Sequence, residues 1–112
     1  VQTCALPISR PFRASMGQSL RTSATDYGAP SIIGSTGDPA ALKASINNGG
    51  WNQVHVIARG PVLMYFMNGK LMSTVIDDTP GRALTHGYIA IQLEGGGDKK
   101  VSYRNLWLKT YN

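Results

Sequence analysis

Four polar or aromatic side chains in the second half of the chain could together hold a sugar. Tyr65, Gln92, Glu94 and Arg104 lie in separate runs of strand-forming residues. A carbohydrate site on a sheet needs polar groups on neighbouring strands and an aromatic ring against which the sugar can stack. If these strands are neighbours, Tyr65 supplies the ring and the other three supply polar contacts. The alternative is that Gln92 and Glu94 lie on a solvated outer face and that Tyr65 belongs to the core.

Other kinds of active site find little support in the sequence. The two histidines, His55 and His86, have no partner at metal-ligand spacing, so a structural zinc site is not expected. Asp77 and Asp78 could contribute to a calcium site, but their setting favours a solvated loop. A Gly-x-Ser-x-Gly nucleophile elbow is missing, and the glycine run 95–97 precedes a predicted strand, which is typical of a turn. We therefore expect neither a metal nor another cofactor.

The composition predicts one small domain that is rich in strands and turns. The chain has 112 residues with 13 Gly and 6 Pro, and helix-forming residues are scarce. Its net charge of +5 comes from scattered Lys and Arg side chains, so no nucleic-acid surface is indicated. No apolar run approaches the roughly 18 residues of a membrane span. Cys4 is the single cysteine, so an internal disulfide is impossible and the oligomeric state stays open.

A predicted β-hairpin and the strand that leads into it, residues 51–78, organise the chain. Asn68-Gly69 separates the apolar runs 62–67 and 70–77, and this dipeptide favours a type I′ turn because both residues tolerate positive φ. In the lead-in strand, His55 lies on the more polar face. There it is either plain surface or a further substrate-binding residue.

Further strands and one helix are predicted around the hairpin. Residues 16–23 and 31–34 favour short strands, and Asp38 followed by Pro39 predicts a helix near 38–45. Residues 87–94 alternate cleanly, with Ile89, Ile91 and Leu93 expected to point inward. The pattern as a whole predicts an all-β fold, either a β-sandwich or a jelly roll.

The last predicted strand, residues 101–110, contains a break in its alternation. Val101 and Tyr103 have one parity, and Leu106 and Leu108 have the other. A bulge at 104–105 would bury all four apolar side chains in one layer, and this is the preferred interpretation. Otherwise Trp107 is the residue that points inward.

The start of the chain has a separate origin. Residues 1–8 match the translation of a common sequencing-library adapter and are expected to be an artefact, so they are left out of fold reasoning. Residues 9–112 are then expected to be the C-terminal part of one jelly-roll domain that lacks its first strands.

From residue 51 onward the sequence resembles the 3-keto-disaccharide hydrolase family, also described as a 3-keto-glucoside 1,2-lyase and 3-keto-2-hydroxyglucal hydratase domain. Residues 21–24 and 34–38 also look like this family. The resemblance rests on the order and spacing of these motifs: Gly50-Trp51-Asn52, Ala58-Arg59-Gly60, Asn68-Gly69, Asp77-Asp78, Gly81-Arg82-Ala83, residues 87–93 and residues 101–109.

The resemblance implies a concanavalin-like jelly roll from secreted or periplasmic bacterial proteins, with an oxidised glucoside as substrate. It implies an enzyme that eliminates the aglycone from a 3-keto-glycoside and then adds water. Glu94 would be the general base or acid, Gln92 would position the substrate, and Tyr65 and Arg104 would hold the keto oxygen or a hydroxyl. The family often has His at the positions of Tyr65 and Glu94. The alternatives are a non-catalytic carbohydrate-binding module and a sandwich domain without a sugar site.

Overall fold

The computed structural model describes residues 3–4, 14–22, 30–80, 86–91, 93 and 97–111. Within these ranges, most residues with regular structure are in strands, and one short helix interrupts them. The elements in chain order are β1 (Thr3–Cys4), β2 (Ala14–Ser15), β3 (Gln18–Arg21), β4 (Ser31–Ser35), α1 (Pro39–Ala44), β5 (Val54–Arg59), β6 (Val62–Met67) and β7 (Lys70–Ile76).

Five of these strands form one mixed sheet. Their order across the sheet is β4-β3-β7-β6-β5, and β1 pairs separately with β2. The β3–β7 pair is parallel, whereas all other neighbouring strands are antiparallel. The prediction of an all-β fold with one short helix is confirmed, and the arrangement is consistent with a β-sandwich. The described residues form no helix that is long and apolar enough for a membrane span.

The hairpin turn at Asn68-Gly69 has the backbone conformation that the sequence predicts. The φ angles of these residues are 51° and 77°, both in the left-handed region that a type I′ turn requires. The Asn68 side chain is also fully used. Its Oδ1 accepts from the backbone N–H of Gln53 at 2.9 Å, and its Nδ2 donates to the Ser45 carbonyl at 2.9 Å and to Asn52 Oδ1 at 2.8 Å. These bonds tie the turn to the loop after α1 and to the start of β5.

Helix α1 follows from its capping residues, and its prediction is confirmed. Asp38 Oδ2 accepts a hydrogen bond from the N–H of Ala41 at 3.0 Å, and Pro39 occupies the first helical position. At the other end, Ser45 Oγ donates to the Leu42 carbonyl at 2.7 Å. Leu42 is the buried side chain of this short helix. Burial of Leu42 and the caps at both ends therefore stabilise the helix.

The strand register divides the side chains of the sheet between two faces. Tyr65 lies opposite Ser73 on β7 and Val56 on β5, so these three side chains share one face. His55 lies opposite Phe66, the residue after Tyr65, and therefore belongs to the other face. We name the two surfaces the Tyr65 face (Leu20, Val56, Leu63, Tyr65, Ser73, Val75) and the His55 face (Ser19, His55, Met64, Phe66, Thr74).

The core lies on the Tyr65 face. Ala14, Leu20 and Val75 form a buried cluster, and the partly buried Leu63 and Tyr65 pack against it. Leu20 and Val75 are register partners across the parallel β3–β7 pair, so the centre of the core is built where distant parts of the chain meet. On the His55 face, the hydroxyls of Ser19 and Thr74 hydrogen-bond across the same strand pair.

A register shift in β7 adds to the buried surface. The ladder moves from Tyr65–Ser73 to Phe66–Leu71, which leaves Met72 as an extra residue in β7. Met72 and Ser73 are both buried although they are consecutive. The Met72 carbonyl accepts hydrogen bonds from the Gly17 N–H at 2.8 Å and from Thr36 Oγ1 at 3.0 Å. The bulged residue therefore anchors the turn before β3 and the end of β4.

Two strand predictions are wrong for the residues that the structure describes. Residues 86–91, 93 and 97–111 have no regular secondary structure. The side chains expected inside are exposed, among them Ile89 at 78% and Leu108 at 75%. The physical reason is that alternation supplies an apolar face but no hydrogen-bonding partner, and neither range pairs with a described strand.

The predicted bulge at 104–105 is wrong for these residues. Asn105 has a φ of 54°, but residues 97–111 form no strand and pair with no described strand, so there is no ladder in which a bulge could lie. Val101, Tyr103 and Leu106 are exposed, so the prediction that they share a buried layer is also wrong. Trp107 is 93% exposed, which excludes the other interpretation as well.

Replacing Asn68 by Asp is expected to destabilise the fold by about 1–3 kcal/mol. The carboxylate can still accept from Gln53, but it cannot donate to Ser45 or Asn52 and would lie against their two oxygens. Urea unfolding measured by circular dichroism gives the free energy of unfolding. Asn48→Asp is the matched control, because Asn48 is an exposed Asn before Gly without side-chain hydrogen bonds in the described part of the chain. Equal effects of the two substitutions would contradict the prediction.

Candidate functional site

Tyr65 is the predicted site residue that the structure places most clearly. It lies in the middle of β6, half-buried, with its ring against the Ala14, Leu20 and Val75 cluster. This packing restricts the ring to one orientation on the Tyr65 face. The interpretation that Tyr65 belongs to the core is confirmed for its ring, and its role as a site residue stays a prediction.

Ser73 lies directly opposite Tyr65 and was not identified by the sequence analysis. Its side chain is fully buried, and its Oγ has no hydrogen-bond partner in the described part of the chain. A buried hydroxyl without a partner costs on the order of 1–3 kcal/mol, so such groups are uncommon. Ser73 is therefore a polar group beside Tyr65 with unused hydrogen-bonding capacity.

A set of three polar side chains lies on the same face, where β7 ends. The Thr22 hydroxyl is 2.9 Å from the Thr79 hydroxyl and 3.2 Å from Asp77 Oδ1, and it is also 3.3 Å from the Ile76 carbonyl. Thr22, Asp77 and Thr79 are all buried, and we name them the threonine–aspartate cluster. The backbone N–H of Asp77 donates to the Pro61 carbonyl at 2.8 Å, which holds the chain after β7 beside β6.

The prediction that Asp77 and Asp78 lie in a solvated loop is wrong for Asp77. Only 4% of its surface is exposed. The parity of β7 could have indicated this, because Ser73, Val75 and Asp77 alternate on one face, just as Thr22 continues the parity of Leu20. The residues that follow, with Pro80 and Gly81, are typical of a loop and led to the prediction of a solvated position for Asp77.

Asp78 is exposed and points to a different partner. Arg21 Nη2 lies 2.5 Å from Asp78 Oδ2, and Arg21 Nε donates to Oδ1 at 3.3 Å. The hydrogen bond from Arg21 is the main cause of a lowered pKa of the Asp78 carboxyl, while partial desolvation acts in the opposite direction. The Arg21–Asp78 pair connects the ends of β3 and β7 on the exposed side of the sheet. The threonine–aspartate cluster connects them on the buried side.

His55 lies on the opposite face of the sheet from Tyr65. It is exposed, and its ring centroid is 5.9 Å from that of Phe66, its register partner. Because Tyr65 and Phe66 are consecutive in β6, the side chains of Tyr65 and His55 point away from each other. The structure therefore does not bring these two predicted substrate-binding residues together.

Arg104 is held beside the start of the lead-in strand. Its Cζ lies 3.9 Å from the centroid of the Trp51 ring, which is close stacking of a guanidinium on an indole. Farther along, Arg59 Cζ lies 5.7 Å from the Tyr111 ring centroid. These contacts bring the C-terminal residues 104–111 alongside β5, in the same chain direction, without a ladder to any described strand.

The two remaining predicted site residues, Gln92 and Glu94, lie outside the described residues. Their proposed roles as positioning group and general base stay predictions. Among the residues that the structure does describe, no three His, Cys, Asp or Glu side chains are grouped so that they could hold a metal ion.

Together these features define a small all-β domain whose sheet carries hydroxyl and carboxyl groups beside an apolar core on one face. Comparison with known families gives a specific assignment. The model of the 3-keto-alpha-glucoside-1,2-lyase-like domain matches residues 11–109, and the chain belongs to this family. No curated protein and no solved structure matches the chain. The family resemblance expected from the sequence motifs is thus confirmed, and it associates the chain with domains that process carbohydrates.

Replacing Thr22 by Val is expected to lower the free energy of unfolding by about 1–3 kcal/mol. The change keeps the shape of the side chain but leaves the buried Asp77 and Thr79 without the hydroxyl that connects them. Thr110→Val is the control, because Thr110 is exposed. If both variants unfold at the same urea concentration as the parent, the threonine–aspartate cluster does not stabilise the sheet.

The Arg21–Asp78 pair is expected to make part of the stability depend on pH. The folded-state pKa of Asp78 is lowered, so its contribution is present above the ordinary Asp range and is lost as the pH falls through the folded-state value. Arg21→Gln should therefore lower the urea midpoint at neutral pH but not in strong acid. The effect is expected to be small and to shrink in high salt, since the pair is exposed.

The matched control is Lys100→Gln, which removes one positive charge at an exposed position. It should leave the pH dependence as in the parent. A midpoint difference for Arg21→Gln that is the same at neutral and acid pH would show that the side chain acts through packing and not through the ion pair.

Proposed function

We propose that this chain processes glycosides whose sugar has been oxidised to a ketone at its third carbon. The observation that carries the proposal is the family match over residues 11–109. The reaction is an elimination followed by hydration, which together amount to hydrolysis of the glycosidic bond. In line with the resemblance, we further propose that the protein acts in the periplasm or outside the cell.

The chemistry needs few groups. The ketone at the third carbon acidifies the C–H bond at the second carbon, so a carboxylate of suitable pKa can remove that proton. The electron pair then forms a double bond to the first carbon, and the aglycone leaves with its bonding electrons. Water adds to the double bond in the second step. The enzyme has to supply a base, a donor for the enolate oxygen and a fixed substrate orientation.

In this proposal Glu94 is the base or acid, Gln92 positions the sugar, and Tyr65 donates to the keto oxygen or a hydroxyl. The geometry that supports the role of Tyr65 is its half-buried ring, packed against the core, with the Ser73 hydroxyl opposite, which has no hydrogen-bond partner among the described residues. A donor that is already oriented loses little entropy when the substrate binds. His55 is on the other face of the sheet, so we leave it outside this group.

Arg104 can also take part from its observed position. A guanidinium has five N–H donors, and a cation–π contact with a ring uses none of them as a hydrogen bond to an oxygen, so they can bind a substrate oxygen. The contact with Trp51 holds the Arg104 guanidinium 3.9 Å from the ring centroid. Arg104 would therefore bind a hydroxyl or the aglycone at the Trp51 end of β5.

Trp51 supports the second candidate function, a non-catalytic carbohydrate-binding module. Trp51 is 52% exposed beside Arg104, and a half-exposed indole is a suitable surface for the C–H face of a sugar. This candidate predicts binding of a glycan without release of a product.

Glu94→Gln is expected to lower turnover of a 3-keto-glucoside by roughly 100-fold or more, because it removes the base without changing the side-chain shape. The rate of aglycone release is measured in the complete protein. Asp98→Asn is the control, since it removes an exposed carboxylate only a few residues further along the chain and should leave turnover unchanged.

Turnover of Glu94→Gln within a few-fold of the parent would rule out Glu94 as the base. Isothermal titration calorimetry on the same samples separates the two candidate functions. Heat of glycan binding together with no released aglycone from the parent protein would favour the binding module.

A further inference from the structure

The chain contains two Asn-Gly sequences that the fold treats differently. One is Asn68-Gly69 in the hairpin turn, and the other is Asn48-Gly49 in the loop between α1 and β5. Asn followed by Gly is the dipeptide most prone to spontaneous deamidation, because Gly has no side chain to block attack by its backbone nitrogen. Two copies of the same dipeptide in one chain allow the effect of structure to be separated from that of local sequence.

The reaction needs freedom of the Asn side chain. The Gly nitrogen attacks the side-chain amide carbon Cγ, the C–N bond to the amide nitrogen breaks, and ammonia leaves with the proton from the Gly nitrogen. Water then attacks one of the two carbonyl carbons of the five-membered succinimide, and the bond from that carbon to the Gly nitrogen breaks as the nitrogen takes a proton back. The products are aspartate and isoaspartate, and the only co-reactant is water.

Asn68 is held away from this geometry. All hydrogen-bonding groups of its side-chain amide are engaged: Nδ2 with Ser45 and Asn52, and Oδ1 with Gln53, at 2.8–2.9 Å. Its backbone N–H also donates to the Gln53 carbonyl at 2.9 Å, and β6 and β7 fix the chain on both sides. Rotating Cγ toward the Gly69 nitrogen requires these side-chain bonds to break.

Asn48 has none of these restraints. Its side chain is exposed and makes no hydrogen bond within the described part of the chain. Gly49 and Gly69 have similar φ angles of 74° and 77°, and a Cβ built on either would meet no atom within 4 Å. The two dipeptides therefore differ in the Asn side chain and not in the glycine. The backbone N–H of Gly50 donates to the Asn47 carbonyl at 3.3 Å, and Asn52 exchanges hydrogen bonds with Asn47 across the loop. None of these bonds involves the Asn48 side chain.

We propose that Asn48 is a site of spontaneous deamidation in this protein and that Asn68 is protected by its hydrogen bonds. Conversion of Asn48 to aspartate or isoaspartate changes the formal net charge from +5 to +4 (5 − 1 = 4). The altered residue lies next to Asn47, which exchanges hydrogen bonds with Asn52, the partner of Asn68. Deamidation at Asn48 therefore changes a residue that is next to the hydrogen bonds among Asn47, Asn52 and Asn68 but takes no part in them.

The test compares both sites within one sample. The folded protein is incubated at mildly alkaline pH in water labelled with ¹⁸O, so that new aspartate carries the label. Trypsin then yields residues 44–59, which contain Asn48, and residues 60–70, which contain Asn68. Mass spectrometry of the two peptides gives both rates, and fragmentation assigns the label to residue 48 and not to its neighbours.

The expected result is a rate at Asn48 at least about tenfold higher than at Asn68, since breaking several hydrogen bonds precedes reaction at Asn68. In urea, where the structure is lost, the two rates should become about equal. Asn52→Ala removes one acceptor of Asn68 and should raise the rate at Asn68 in the folded protein. Equal rates in the folded protein would overturn the proposal, as would a rate difference that persists in urea, because the latter would show that local sequence is the cause.

Discussion

The parallel pairing of β3 with β7 is the interaction on which the rest of the sheet depends. It joins residues that are more than fifty positions apart, and Leu20 meets Val75 at its centre. On one side of the seam lies the buried cluster with Tyr65, and on the other lie the bonded hydroxyls of Ser19 and Thr74. The threonine–aspartate cluster and the Arg21–Asp78 pair close its end. Without this pairing, the sheet would separate into the pair β4-β3 and the three strands β7-β6-β5.

Elements that depend on nearby residues could be predicted from the sequence. Asn68-Gly69 specified the hairpin because a type I′ turn needs positive φ at both positions, and Asp38 with Pro39 specified α1 because they cap its first turn. The β3–β7 pairing could not be predicted in this way. Nothing in the residues around Leu20 identifies a partner so far along the chain, because strand propensity does not encode which edge a strand meets.

The same limit explains the errors near the C-terminal end. Residues 86–91 alternate as a strand should, yet the described residues there have no neighbouring strand. Conversely, Asp77 looked like a loop residue because of its composition, although its parity with Val75 carries it into the buried side of the sheet. Parity also separates Tyr65 from His55, because their faces follow from the register between β5 and β6. Site residues on different strands can therefore be grouped only after the register is known.

The two departures from the family pattern have a common chemical consequence. Histidine can act as a base or as a donor near neutral pH, whereas a phenol is neutral there and donates, and a carboxylate accepts protons. With Tyr at position 65 and Glu at position 94, the tyrosine can serve as a hydrogen-bond donor and the glutamate as a base. The packing of Tyr65 against the core suits the donor task, because a donor must be fixed in orientation. In the proposed mechanism the base is then the Glu94 carboxylate, so that the proposed activity depends on Glu94 more strongly than it would in a site with two histidines.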